Sequence, residues 1–516
     1  MAFKTAWTLP TPTSSSHAWI FLESSPGSRS ESRVSSHASD FGSGLRAGPA
    51  PELQSPSTRG LLLQYACIGL VTGALPLLPT AIFQDDYDAH LASVYLAVCT
   101  LPLLATPLLG LLADCLPLGR RRRRVCIVLG WALCAVSCLA MAITPLRTRN
   151  ATSLHVFCLL MTACASFGCA AAAAASEALL VTYAQTERIW ERGQLQTRAL
   201  VLRTTGTLVP QVLLGAMALE RVSVIYALLA VASVGAASAT ILFVTESVPD
   251  MSTRHYLHLL WATLQQRVVW QLCAFQVLFS VGFYVSSFLG SAPWLALEAR
   301  PVVWFNLGGT SIAILALVAM GLGGLGLDWR QLIVVNTALY TVGSATVHLC
   351  SLYGALPDEY TYLVVTMVLQ APLVVVLLPA NYCIVEVASV GAEGAVAGLV
   401  SACALVARPV AALVYRALQA AWPAATSKTN GSKLEATRLV FVVYFLQAMS
   451  LLWLHLLPRQ KAHVVQLKLH GGSSATGGGL LLLGVGLMVA FSATMSILPT
   501  LSTTSCLWIA GGSGCN

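Results

Sequence analysis

Residues 110–124 read Gly110-Leu-Leu-Ala-Asp114-Cys-Leu-Pro117-Leu-Gly119-Arg120-Arg-Arg-Arg-Arg124 and join two long apolar stretches. Five adjacent arginines beside an apolar stretch are typical of a cytoplasmic loop of a membrane protein. Asp114 precedes them, and an aspartate at the end of a membrane span is costly unless it has a partner. A shorter counterpart, Gly326-Leu-Asp328-Trp329-Arg330, follows six apolar stretches later. The repeated loop predicts two related halves of six helices each, which in transporters hold a substrate between them.

The composition of the whole chain excludes an ordinary soluble protein. Of the 516 residues, 56% are hydrophobic and 10% are charged, and the mean hydropathy is +0.75. Soluble domains carry about 25% charged residues. The net charge of +8 is spread over loops and the arginine run, so it predicts no nucleic-acid partner. No H-E-x-x-H, Walker or G-x-S-x-G pattern occurs, so we predict no enzyme, no metal site and no cofactor.

Apolar stretches long enough to cross a bilayer recur along the chain, and short breaks between them favour an all-α bundle. We predict a major-facilitator-type bundle of about 12 transmembrane helices with an extra C-terminal span. The predicted spans are 61–83, 90–113, 125–145, 154–183, 199–219, 223–245, 268–291, 301–326, 331–353, 361–385, 394–418, 438–457 and 479–501.

These spans divide the chain into five predicted regions. A disordered cytoplasmic tail, rich in serine and proline, covers 1–58. The six-helix halves cover 59–245 and 268–457, and a central cytoplasmic loop, 246–267, joins them. The last region, 458–516, contains a basic loop, the extra span and an external tail flanked by cysteines.

Loop charges and short motifs predict the orientation of the bundle. Lys and Arg number 14 in one set of loops and 6 in the other, which places the first set in the cytoplasm. The glycosylation sequons at Asn150 and Asn430 both fall in loops of the external set. Cys506 and Cys515 form either a small external disulfide loop or two free thiols. We expect a multi-pass protein of the plasma membrane, with an organellar membrane as the alternative.

Several segments together resemble the folate–biopterin transporter family of the major facilitator superfamily, over about residues 60–516. The segments that carry the resemblance are Asp114–Trp131, Glu177–Gln185, Gln194–Arg198, Arg203, Ile384–Gly394, Leu457–Lys461, His470–Ser474 and Cys506–Cys515. The resemblance implies secondary transport of folates or pterins. The chain departs from the family pattern at Glu177, where an aspartate is usual, at Thr182, where a second acid is common, and at Arg408, where an uncharged residue is expected.

Glu177 and Arg203 are the main candidate residues inside the membrane. They are predicted about 9 Å and 6 Å deep in adjacent antiparallel helices, at 1.5 Å per residue. One interpretation is a structural ion pair. The other is a carboxylate that takes up a proton beside an arginine that meets an anionic ligand. With Asn381 and Arg408, they form the predicted set for substrate binding and proton coupling.

A second set of charged residues flanks the loops predicted to open and close the cytoplasmic side. These predicted gating residues are Asp114, Arg120, Arg121, Arg122, Asp328, Arg330, Glu386 and Glu393. The predicted partners of the protein are a folate- or biopterin-like small molecule, protons and the lipid bilayer. The alternatives are a carrier of another small organic anion and a receptor or scaffold that transports nothing.

Overall fold

The computed structural model describes residues 45–46, 48–52, 54–82, 89–115, 121–144, 151–216, 222–246, 251–291, 299–356, 358–422, 432–501, 503–504 and 507. Most of the predicted tail 1–58 lies outside these residues. So do five of the predicted site positions, which are Arg120, Asn150, Asn430, Cys506 and Cys515.

The described residues of the first half of the bundle form eight helices. These are α1 Pro56–Ala74, α2 Leu78–Ile82, α3 Ala89–Leu104, α4 Thr106–Cys115, α5 Arg122–Ile143, α6 Ala151–Ala184, α7 Gln194–Ala216 and α8 Val222–Phe243. The helices α3 and α4 follow one another within a single candidate span, Val94–Cys115. Pro102 lies at this break, where it cannot donate a backbone hydrogen bond.

A short helix, α9, covers Thr253–Leu264 and leads into the second half. The helices of the second half are α10 Arg267–Tyr284, α11 Ala299–Ala319, α12 Trp329–Tyr353, α13 Glu359–Val368, α14 Gln370–Val376, α15 Leu378–Val387, α16 Glu393–Ala421 and α17 Ser432–Met449. Two further helices follow, α18 Lys461–His470 and α19 Ala475–Ile497. Short 3₁₀ segments extend α10, α17 and α19, and a π-helical turn, Met320–Gly324, extends α11.

Helices account for the membrane-spanning part because lipid offers the backbone no hydrogen-bond partners. Eleven helical segments among the described residues are long and apolar enough to cross a membrane. The helices α1 and α7 occupy the first and fifth predicted spans, and they are more polar because they carry Gln64, Arg198 and Arg203. The predicted all-α membrane fold is therefore confirmed.

Each half has its own apolar core. Trp131 and Tyr226 are fully buried in the first half, whereas Trp329 and the stacked rings of Phe275 and Phe279 are buried in the second. The halves meet where α4 packs against α16 and α7 packs against α11. The helix α19 packs against α3, α10 and α16, and its Ser492 hydroxyl donates to the Val406 carbonyl at 3.2 Å.

Glycines allow the closest contact between the halves. A Cβ at Gly110 of α4 would collide with the Gly394 carbonyl of α16. One turn further on, a Cβ at Gly398 would collide with the carbonyl of Thr106. The backbones of α4 and α16 therefore touch directly at the end of the bundle that carries Asp114 and Glu393, called the gate end below.

Candidate functional site

A central cavity of about 90 Å³ lies between the two halves. Its polar lining comes from five helices, namely Tyr65 of α1, Glu177 of α6, Gln196 and Arg203 of α7, Asn381 of α15 and Ser401 of α16. Glu177 is about 10 Å along α6 from Ala184, and Arg203 is about 14 Å along α7 from Gln194, at 1.5 Å per residue. The structure brings three of the four predicted substrate and coupling residues, Glu177, Arg203 and Asn381, to one cavity.

Glu177 and Arg203 are neighbours that do not pair directly. The two side chains are close enough for their charges to interact, but no hydrogen bond or ion pair joins them. Both side chains are half-buried and face the cavity. The Tyr65 hydroxyl and Gln196 Oε1, also buried at this cavity, have no hydrogen-bond partner among the described residues. The cavity therefore contains one acid, one base and two polar atoms that a ligand or water can satisfy.

A second cavity of about 100 Å³ lies on the other side of Arg203. Its lining is mostly apolar, with Thr72, Thr100, Ser166 and Cys169 among its few polar side chains. Arg203 borders both cavities, so its guanidinium is the charged group between them.

Arg408 is not part of the central cavity. It lies on the same face of α16 as Ser401, about 10 Å further from the gate end, because seven positions correspond to about two helical turns. Its side chain is exposed, and its guanidinium carbon lies 4.9 Å from the centre of the Tyr284 ring. A cation over an aromatic face is favourable.

The gate end is closed by a buried cluster centred on Arg123, called the gate below. Arg123 Nη2 donates to Asp114 Oδ1 at 2.5 Å and to Glu393 Oε2 at 2.7 Å, and Nη1 donates to the Thr182 hydroxyl at 2.8 Å. Asp114 Oδ2 accepts from the Ala395 amide at 3.0 Å. Because Asp114, Arg123 and Thr182 belong to the first half and Glu393 to the second, these bonds hold the halves together.

A second contact between the halves, called the latch below, joins the segment after α6 to α15. Arg192 Nη1 donates to both carboxylate oxygens of Glu386 at 2.9 Å. The Gln185 amide donates to the Ala388 carbonyl at 2.9 Å, and the hydroxyls of Thr197 and Tyr382 lie 2.7 Å apart. The gate and the latch contain all the ion pairs that join two described residues.

Glu187 fixes the loop that carries Arg192. Its carboxylate accepts from the amides of Gly193 at 2.9 Å and Leu195 at 3.0 Å. Gly193 has a φ of 103°, which a glycine adopts without strain. Burial raises the pKa of Glu187 to about 7, although these two amides and the charges of Lys461 and Arg198 oppose the shift.

Lys461 attaches α18 to the same loop. Its ammonium donates to the Ile189 carbonyl at 3.2 Å. Burial lowers the pKa of Lys461, whereas the nearby Glu386 carboxylate opposes this effect. The basic segment after α17 therefore contributes a cation to the latch.

The other predicted gating residues have different positions. Arg121 is exposed and its side chain does not cap α5, and Arg122 Nη1 donates to the Asp114 carbonyl at 2.6 Å. Asp328 caps α12, and Arg330 Nε donates to the Leu457 carbonyl at 2.7 Å, so this pair stays within the second half. The two similar loops thus differ in role: among the described residues, hydrogen bonds of Asp114 and Arg123 cross between the halves, whereas those of Asp328 and Arg330 do not.

Several residues of the closed end were not among the predicted site residues, and the charged ones include Arg123, Glu187 and Arg192. Arg123 belongs to the arginine run, but five identical residues give no signal for which one turns inward. Arg46, within the predicted tail, also reaches the gate. Its amide donates to the Gln185 carbonyl at 3.2 Å, and its Nη1 lies 3.4 Å from Glu393 Oε1.

The fold and the site together define a membrane transporter, because a helical bundle of two halves encloses a charged cavity and is sealed at one end. Residues 77–283 match the BT1 family, which confirms the resemblance to folate–biopterin transporters that the sequence predicts. No curated protein sequence matches the chain.

Two solved transporter structures are similar to the chain in fold. A bacterial homologue of the iron transporter ferroportin, in an outward-facing state, is 12% identical with a TM-score of 0.53, over 81% of this chain and 99% of that one. The proton:xylose symporter XylE of the major facilitator superfamily is also 12% identical, with a TM-score of 0.54, over 75% of this chain and 94% of that one. At these identities the similarity shows the fold alone.

Proposed function

We propose that this protein is a secondary active carrier of folate- or pterin-type anions that is coupled to protons. The observation that carries the proposal is that Glu177 and Arg203 lie side by side in a cavity lined by both halves without forming a direct ion pair. An arginine grips a carboxylate with two parallel hydrogen bonds, as the glutamate tail of folate would require. An acid beside it, inside the membrane, suits proton uptake.

In this conformation the cavity is too small for a folate- or pterin-type ligand, as expected if the carrier opens and closes around its substrate. A cavity of about 90 Å³ is smaller than the roughly 300–1,000 Å³ of sites for drug-sized ligands. The substrate site must therefore widen when the gate and the latch separate. The chain is in its gate-closed conformation, and opening of the gate end would expose Glu177 and Arg203 to that side.

Uptake into proteoliposomes tests the proposal. Radiolabelled folate and biopterin are supplied to vesicles containing the full chain, with and without a pH gradient. We expect accumulation that depends on the gradient. If other organic anions are accumulated but folate and biopterin are not, the substrate class is wrong. If no anion crosses, a receptor or scaffold is the better interpretation.

Replacing Glu177 with glutamine is expected to abolish accumulation driven by a pH gradient while leaving exchange of preloaded substrate intact. Glutamine keeps the size and the hydrogen-bonding capacity of glutamate but cannot titrate. Counterflow and gradient-driven uptake are measured in the same vesicles. The variant Glu177→Asp, which keeps a titratable group, should retain coupling. Normal gradient-driven accumulation by Glu177→Gln would place the coupling site elsewhere.

We also propose that the gate end faces the cytoplasm, because the loops with more Lys and Arg lie there. Asn150 and Asn430 should then be glycosylated in cells that modify exported loops, whereas a sequon introduced near Gln194 should not. A shift in electrophoretic mobility on deglycosylation reports the result. If only the sequon near Gln194 is glycosylated, the orientation is the opposite of the proposed one.

A further inference from the structure

The helix α9 is too short to cross the membrane and has two distinct faces. Its twelve residues extend about 18 Å, at 1.5 Å per residue, against a hydrocarbon core of about 30 Å. Tyr256, Leu260 and Leu264 are buried against the bundle. The opposite face is open, and its chemistry differs from that of the lipid-facing spans.

The exposed face of α9 combines basic side chains with large apolar ones. Arg254, His255 and His258 are exposed, and so are Leu257 at 50% and Trp261 at 38%. Residues 251–291 contain no Asp or Glu, and the exposed Arg267 follows directly after α9. A short helix with basic, leucine and tryptophan side chains on its open face is typical of a helix lying in the membrane interface.

At the gate end, the buried face of α9 contacts both halves of the bundle. The Tyr256 hydroxyl donates to Asp114 Oδ2 at 3.5 Å, and Asp114 belongs to the first half. The Thr263 hydroxyl donates to the Ser389 hydroxyl at 2.8 Å, in the turn before α16 of the second half. Met251 and Leu259 lie against Gly391 of the same turn. Separation of the halves must therefore break contacts on one side of α9.

We propose that α9 binds anionic phospholipid headgroups through Arg254 and Arg267, and that this binding favours the closed gate. A ligand shifts a conformational equilibrium only when it binds one state better. Lipid that anchors α9 in its present position favours the state in which Tyr256 and Thr263 both keep their partners. The inference does not depend on the identity of the transported substrate.

Hydrogen exchange of the full chain in nanodiscs tests this inference. The Ala395 amide donates to Asp114 across the two halves, so its exchange reports opening of the gate; the Gly391 amide donates to Glu393 and reports how firmly that carboxylate is held. The nanodiscs contain either phosphatidylcholine alone or phosphatidylcholine with phosphatidylglycerol. We expect the anionic lipid to slow exchange of these amides by at least about fivefold, the effect of one basic residue near an anionic surface.

The variant R254Q/R267Q should lose this lipid effect and exchange in pure phosphatidylcholine as the unmodified chain does. The matched control is Arg438→Gln, which removes an exposed arginine of α17 far from α9 and should keep the full effect. An equal lipid effect in R254Q/R267Q would overturn the assignment to α9. Identical exchange of the unmodified chain in both lipids would also overturn it, and an acidic protein partner would then be the better candidate for this face.

Discussion

Replacing Arg123 with alanine should raise the open-to-closed ratio of the gate by about two to four orders of magnitude. The side chain is fully buried between Asp114 and Glu393, and its loss leaves two carboxylates without their common cation. Breaking a buried ion pair in this way costs about 3–5 kcal/mol. Exchange of the Gly391 and Ala395 amides should accelerate accordingly, and transport should slow because the carrier rests in the open state.

The matched control for this prediction is Arg121→Ala. Arg121 belongs to the same arginine run, but its side chain is exposed and does not cap α5. Exchange at the gate should remain within a few fold of that of the unmodified chain. If both variants behave alike, the arginine run acts only as an orientation signal.

Replacing Glu187 with glutamine is expected to remove the pH dependence of latch closure. The pKa of Glu187 is raised to about 7 in the closed structure, against 4.5 for an ordinary glutamate. Closure therefore accompanies proton uptake. The stabilisation is fully present below about pH 4.5 and is lost as the pH rises through about 7. Over this window, the closed-to-open ratio of the unmodified chain should fall by about two orders of magnitude.

Hydrogen exchange of the Gly193 and Leu195 amides between pH 5 and 8, corrected for intrinsic exchange, measures how firmly Glu187 holds the loop that supplies Arg192 to the latch. The control is Glu191→Gln, in the same loop, which should keep the pH dependence of the unmodified chain. A closed-to-open ratio that rises with pH would contradict the prediction. Equal pH profiles of Glu187→Gln and the unmodified chain would assign the titration to another group.

The sequence predicts the bundle well because lipid imposes a simple rule on the chain. Long apolar stretches must become helices, so the spans can be read directly from hydropathy. The predicted depth of Glu177, about 9 Å, is close to the roughly 10 Å observed along α6, whereas Arg203 lies about 14 Å along α7 and not about 6 Å, because α7 begins at Gln194 and not at 199. Whether they form a direct pair depends on rotamers and small rotations of α6 and α7, which the sequence does not specify.

The closed end is harder to predict, because its contacts depend on how the two halves meet. The helix α5 begins at Arg122, and this start determines which of the five adjacent arginines lies on its buried face, namely Arg123. The latch combines Glu386, which was predicted, with Arg192 in a loop whose path is fixed by Glu187 and Gly193. Loop contacts of this kind follow from tertiary packing and leave no periodic pattern.

The position of α19 gives the two flanks of the protein different access to the bilayer. On one flank, α19 lies over α3 of the first half and α10 and α16 of the second, so it covers the line where the halves meet. On the other flank, α7 meets α11, and the described residues of α19 make no comparable contact there. A bundle of two similar halves thereby acquires an asymmetry, because α19 adds a third partner to one of the two seams between them.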